Sequence, residues 1–309
     1  MGAWLIDGPH LVTEFRDRDS ANWYWARLYE TVMVSVSVCV IVYLVKGCRR
    51  AGQIFTFDVM FCSAMSTIFW LDMTPNFFQP VLLESSNLIV FQSPCGHIPG
   101  VFNSDCGRPP DAVFFWLSEA FGAIALAILL RAGLRRVRRR WPEISIQKQA
   151  GLVFLGAFLI DVAWEVPAVS LGLWTYQGGP SLHLGAYRLA LSEVFGAIMY
   201  IGLVSVVWIF RDDKGRSLVE RGLEHHTPRA RKGITFFALY GFVQLAAVIP
   251  VAPPFWFTGM YQGTWQKMPP YIVNDGCNAP GITGTRYGIC PGDPGYTRPG
   301  PGDLPGKNP

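Results

Sequence analysis

Apolar residues gather along this chain into long blocks separated by short polar runs, the pattern of helices that cross a bilayer. A crossing helix needs roughly 20 apolar residues. Six stretches qualify: Thr31 to Val45, Ile54 to Met73, Ala112 to Leu134, Gly151 to Trp174, Tyr187 to Phe210 and Ile234 to Pro253. The first is short and has room to begin earlier, near Trp25. The sixth is expected to stop sharply at Pro250, Pro253 and Pro254, since proline breaks the helical hydrogen-bond ladder. The pattern predicts an all-α, polytopic transmembrane bundle of about six spans. Residues 1–29 form an N-terminal outer segment, 30–253 the helical domain, and 254–309 a tail too rich in Gly, Pro and polar residues to build a core.

Charge gives this bundle a direction. Lys46, Arg49 and Arg50 follow the first span. Arg135, Arg136, Arg138, Arg139 and Arg140 follow the third, and Arg211, Lys214, Arg216, Arg221, Arg229, Arg231 and Lys232 follow the fifth. Under the positive-inside rule these segments are cytoplasmic and both termini face outward. Arg16, Arg18 and Arg27 near the N-terminus are offset by Glu14, Asp17 and Asp19. Composition excludes an ordinary soluble domain: only 16% of the 309 residues are charged, against about a quarter in a soluble chain. The opening MGAWLIDGPHLVTEF lacks a basic run followed by an apolar one, so no cleavable signal peptide is expected. Trp70, Trp116, Trp174 and Trp256 near outer span ends, and Trp208 near an inner one, fit interfacial belts or plain core packing equally.

Cys95, Cys106, Cys277 and Cys290 fall on the predicted outer side, where two disulfides are expected and the local pairs Cys95–Cys106 and Cys277–Cys290 are simplest. The sequence leaves the pairing open. The rival, a zinc site, lacks any CxxC spacing.

The third and fifth spans share an octapeptide, Leu117-Ser118-Glu119-Ala120-Phe121-Gly122-Ala123-Ile124 and Leu191-Ser192-Glu193-Val194-Phe195-Gly196-Ala197-Ile198, identical at seven of eight positions. Such a repeat predicts Glu119 and Glu193 at equivalent depths, with Gly122, Ala123, Gly196 and Ala197 allowing close helix approach. Chance similarity between apolar helices is the alternative.

Ionised side chains inside a bilayer cost roughly 2.5–3.5 kcal/mol each on insertion scales, so intramembrane acids point to sites or buried pairs. Six occur: Asp58 and Asp72 on the second span, Glu119 on the third, Asp161 and Glu165 on the fourth, Glu193 on the fifth. Asp161 and Glu165 share a helix face at i,i+4, and Pro167 should loosen the backbone beside them. With His97, Tyr176 and His183 from outer loops, the acids describe a polar cavity opening outward, Asp72 and His97 at its mouth and Asp58 apart near the inner end. A neutral carboxylic acid in a low-dielectric cavity donates protons while an ionised neighbour accepts them or steadies a cation, which suits cyclisation or dehydration through an oxocarbenium ion or carbocation. The expected catalytic set is Glu119, Asp161, Glu165 and Glu193, with Asp72, His97, Tyr176 and Asp58 binding substrate. The bland alternative pairs each acid with Arg188 or with Ser118 and Ser192. No HExxH, Walker A or GxGxxG motif is present, so no cofactor or metal is implied. The expected partners are an apolar small molecule or lipid and the membrane lipids. The arginine run beside a span reads as a lipid-touching topology anchor rather than a nucleic-acid surface, and oligomeric state is not legible.

A family pattern runs through most of the chain from about residue 50. It comprises Phe57-Asp58, Trp70-Leu71-Asp72, Asn76-Phe77-Phe78, Gly96-His97-Ile98-Pro99-Gly100, Arg140-Trp141-Pro142, Asp161 with Glu165, and Trp174 and Tyr176 before Gly178. Asp212-Asp213-Lys214-Gly215, Val219-Glu220-Arg221-Gly222 and Pro269-Pro270-Tyr271 continue it. In these features the chain resembles the AveC-like spirocyclases, membrane proteins widespread in actinobacteria. The resemblance implies spiroketal formation from a dihydroxyketone, with dehydration in some members. A membrane terpene or polyprenyl cyclase and a lipid-binding partner without chemistry are the rival functions. Polyketides are made in the cytosol while the acids cluster outward, so an apolar substrate would reach them through the bilayer.

Overall fold

The computed structural model describes Ile6, Leu11 and residues 16–68, 82–91, 111–176, 181–185, 187–211, 216–260 and 272–273. Its six α-helices are α1 (Ala21–Ala51), α2 (Phe57–Met65), α3 (Val113–Arg140), α4 (Ile146–Ser170), α5 (Leu191–Ile209) and α6 (Pro228–Met260). Four are long and apolar enough to cross a membrane: α1, α3, α4 and, over Pro228–Ile249, α6. The apolar stretch Val194–Ile209 of α5 is shorter. The architecture is a polytopic helix bundle with small sheets at one end.

Local chemistry sets several ends. Ser20, Thr56 and Ser145 accept hydrogen bonds from the backbone N–H groups of Trp23, Val59 and Lys148, capping α1, α2 and α4. Gly52 closes α1 in the left-handed conformation. The second helix departs most from the sequence expectation of 54–73. It ends at Met65, where the Ser66 and Thr67 hydroxyls turn back onto the carbonyls of Cys62 and Ala64. Residues 69–73 lie outside the described residues. Gln244 of α6 donates to the Thr67 hydroxyl at 2.8 Å, tying this end into the bundle. At nine residues α2 is roughly 14 Å long, about half a crossing. Met60, Phe61, Cys62, Ala64 and Met65 are all buried, so α2 is an interior plug.

Three other boundaries move. The fourth span stops at Ser170 and not Trp174, because Gly172 takes a positive φ of 68° and turns the chain into a strand. A Cβ at Gly172 would also strike the Tyr187 ring at 2.5 Å. The fifth span begins as strand at Tyr187–Ala190 and becomes helix only at Leu191. The sixth runs through Pro250, Pro253 and Pro254 to Met260. Proline's fixed φ is itself helical, and a membrane helix tolerates the lost N–H groups better than a free one.

The strands are β1 (Leu82–Ser85), β2 (Val90–Phe91), β3 (Asp111–Ala112), β4 (Trp174–Tyr176), β5 (Ser181–Leu184), β6 (Tyr187–Ala190) and β7 (Ile272–Val273). They pair as β4-β1-β7, β2-β3 and β5-β6. Because β3 feeds α3, β4 follows α4 and β6 feeds α5, the sheets cap one end of the bundle. The opposite end carries the basic C-terminal turns of α1 and α3. Buried Asn22 at the start of α1 joins the cap. Its amide donates to the carbonyls of Leu171 and Gly172, and its oxygen accepts from Ser85 and Asn87.

α3 is interrupted by a π-helical segment, Ser118–Gly122. The Cys62 thiol donates to the Ala120 carbonyl at 3.5 Å, so α2 packs directly on this widened turn. The octapeptide of α5 shows no such segment. Among the described helical glycines, Gly156 admits Leu130 closely and Gly202 admits Phe154. A Cβ at Gly122 would touch Met33 of α1 at 3.4 Å. Among the tryptophans, Trp174 and Trp208 are fully buried, which is the packing reading and not the belt.

Candidate functional site

A cavity of about 380 Å³ lies between α1, α3, α4, α5 and α6 beneath the strand cap. That is the lower part of the roughly 300–1,000 Å³ range of small-molecule sites. Glu119, Asp161 and Glu165 all line it. The π segment sets Glu119 on the cavity wall, where the Tyr200 hydroxyl donates to its Oε2 at 3.2 Å. Tyr200 lies 3.6 Å from the Met65 sulfur as well. Glu165 Oε2 accepts from the Trp174 indole N–H at 3.0 Å. Asp161 differs from both: it is only 9% exposed, and among the described residues its Oδ2 has no hydrogen-bond partner. A buried polar atom without a partner costs about 1–3 kcal/mol, so its retention on a cavity wall points to use.

Aromatic rings form much of the remaining wall. Phe114 stacks on Trp164 with centroids 5.8 Å apart, and Phe115 meets Trp174 at 5.1 Å. Tyr29 stands 4.7 Å from Trp164 and donates to its carbonyl at 3.4 Å. α4 stays helical through Pro167, so the loosened backbone expected there does not amount to a break. Tyr176 is buried on β4 opposite Leu82 and also lines the cavity. The surround is therefore apolar and π-rich around three carboxyl groups, a setting in which a transient cation is stabilised by ring faces and ionised acid alike.

Asp58 stands elsewhere, in the first turn of α2. Its carboxylate accepts from the Tyr43 hydroxyl at 2.9 Å and the Trp208 indole at 3.0 Å, and lies 3.7 Å from the Arg211 guanidinium. Arg211 in turn pairs with Glu220 at 3.2 Å and covers the Phe57 ring. Burial lowers the Arg211 pKa, with Glu220 and Asp58 opposing. None of these groups lines the cavity. Glu193 is the third residue of α5, whereas Glu119 follows six residues of α3, so the two do not occupy matching positions in their helices. The side chain of Glu193, and Asp72, His97, Cys95, Cys106, Cys277 and Cys290, lie outside the described residues. His183 is exposed on β5, opposite Arg188 on β6. Among the described residues no group of three His, Cys, Asp or Glu side chains is arranged to hold a metal ion.

Tyr200 and Trp164 were not singled out from sequence. A tyrosine inside an otherwise apolar span that also meets an acid-bearing helix is the signal that would have found the first. Residues 48–268 match the family described as Spirocyclase AveC-like. The chain belongs to this family. No curated protein and no solved structure matches it. The match runs from the last turn of α1 through the whole of α6, so it takes in Glu119, Asp161, Glu165, Tyr176 and Tyr200 together with Asp58. A membrane cyclase-type role follows at the level of the family.

Proposed function

We propose that the chain is a membrane-embedded acid–base catalyst that closes a spiroketal or cyclic ether from a dihydroxyketone-type polyketide or lipid. The observation that carries this reading is Asp161: a buried carboxyl with an unpartnered oxygen on the wall of an aromatic cavity that also holds Glu119 and Glu165. One substrate hydroxyl adds to the ketone to give a hemiketal. Asp161 gives its proton to the hemiketal hydroxyl, water leaves, and an oxocarbenium ion remains against the Trp164 and Trp174 rings. The second hydroxyl attacks that carbon and its proton passes to a carboxylate, Glu165 or Glu119. One water is lost overall and no electrons are exchanged, so the chemistry calls for no redox partner. Loss of a β-proton from the same cation would give dehydration instead.

The residence that fits this reading is a bacterial plasma membrane, with the strand cap outward and the basic ends of α1 and α3 at the cytoplasm. The purified chain in vesicles, given a long-chain dihydroxyketone, is expected to yield a product lighter by one water. Asp161→Asn, Glu119→Gln, Glu165→Gln and Glu193→Gln are expected to slow it. Undiminished turnover in all four would remove the proposal. Turnover of a polyene or epoxide in place of the ketone would favour a terpene-type cyclase, and retention of lipid without any product a binding role.

A further inference from the structure

The cavity is open, and the direction of its opening bears on what enters. Of the described lining residues, Leu82, Trp174 and Tyr176 of the cap, Tyr200 of α5 and Ala247 of α6 are buried, and Ala197 and Ile201 of α5 are half-buried. The lining residues that are exposed are Val32 (39%), Leu129 (61%), Ile160 (36%) and Ala163, and each is apolar. They belong to α1, α3 and α4, three helices long and apolar enough to span a bilayer. Val32 lies roughly 16 Å along α1 from Ala21, and Ile160 roughly 15 Å along α4 from Ser170. In a hydrocarbon layer about 30 Å thick Ile160 is near the middle, while Val32, two residues beyond Glu30 whose carboxylate accepts from the Ile89 N–H of the cap, lies nearer the cap side.

We infer that the cavity fills sideways from the bilayer core, through an opening rimmed by Val32, Leu129, Ile160 and Ala163. Its substrate is then a membrane-dissolved molecule with a long alkyl tail. The hydroxylated head enters first and the tail remains in the opening among lipid chains. Polarity is ordered to match: the four exposed rim residues are apolar, and Asp161, next to Ile160 in the chain, lines the cavity with an Oδ2 that has no partner among the described residues. A water-soluble diol would have to pass either the buried cap or an apolar rim in hydrocarbon. This inference rests on the reading above for the head group alone; the opening itself stands on exposure and depth.

The test uses the full chain in phosphatidylcholine–phosphatidylglycerol vesicles. The probe is a long-chain monohydroxyketone with a diazirine at the tail end, which binds but cannot close two rings. Photolabel is expected on the peptides holding Val32, Leu129 and Ile160. It should fall about tenfold when Val32→Trp and Ile160→Trp overfill the rim together, and stay unchanged when Leu245→Trp and Ile249→Trp add similar bulk on an exposed face of α6. Label on Leu82–Phe91 of the cap, or label indifferent to the rim substitutions, would overturn the inference. If the rim variants fail to fold, the label map of the unaltered chain still decides. Label at the rim with no ring closure of a dihydroxyketone keeps the opening and removes the spirocyclase reading; ring closure with label elsewhere does the reverse.

Discussion

Asp58 and Asp161 are both aspartates within the helix bundle, and their surroundings are opposite. Asp58 has a hydroxyl, an indole N–H and a guanidinium around its two oxygens. Through them it links α1, α2 and α5 to the chain beyond α5. Asp161 is more deeply buried, faces a cavity, and leaves an oxygen unpartnered. A carboxylate whose lone pairs are satisfied by fixed neighbours contributes to structure and has nothing left to offer a ligand. One held in a low-dielectric wall without partners carries a desolvation cost that folding alone does not offset. Depth in the membrane therefore separates the two less well than the inventory of partners does.

The strongest way to break this contrast is Asp161→Asn. If Asp161 handles the proton, turnover should fall by about 10²–10⁴, the usual span for a general acid or base. The unfolding midpoint in detergent should hold or rise, because no hydrogen bond to Oδ2 is lost. A large drop in midpoint with turnover preserved per folded molecule would move Asp161 to the structural class. Asp58→Ala is the mirror image. It leaves Tyr43 and Trp208 without their acceptor and removes a charge beside Arg211, a loss of about 1–3 kcal/mol in stability. Thermal unfolding followed by tryptophan fluorescence reads this directly. A fall in turnover of the Asp161→Asn size, measured well below the new midpoint, would return Asp58 to the site.

How far sequence reached can be judged on the same residues. Asp161 and Glu165 were legible because i,i+4 spacing in an apolar helix fixes a shared face whatever the tertiary structure. Their meeting with Glu119 was expected from depth in the spans, but the π segment that carries Glu119 was not legible, since Ser118–Gly122 differs from its α-helical counterpart in α5 only at Ala120 against Val194. The widened turn is supported from outside, by Cys62 on the Ala120 carbonyl. Four long apolar helices followed from hydropathy alone. The strands did not, since Trp174–Tyr176 and Tyr187–Ala190 adjoin apolar helices and carry side chains that suit a buried strand as well as a span end. Gly172 and Gly185, both at positive φ, were the available clues. The half-length of α2 was hidden for the same reason: an interior helix in a membrane protein is as apolar as a lipid-facing one.

Glu119 tests whether partner inventory grades function or merely sorts it. It lines the cavity like Asp161 yet accepts from Tyr200 at 3.2 Å. Tyr200→Phe removes that donor while keeping the ring, at nearly constant volume. If Tyr200 only orients Glu119, kcat should fall by about tenfold or less with KM unchanged, the signature of an interaction felt in the transition state and not in binding. Glu119→Gln added to Tyr200→Phe should then cost less than it does alone, because the two substitutions disturb one unit. Fully additive losses would mean that the hydroxyl meets substrate on its own account. Tyr200 would then join the reacting groups, and the contrast between partnered and unpartnered carboxyls would need a third class, in which the partner itself does the work.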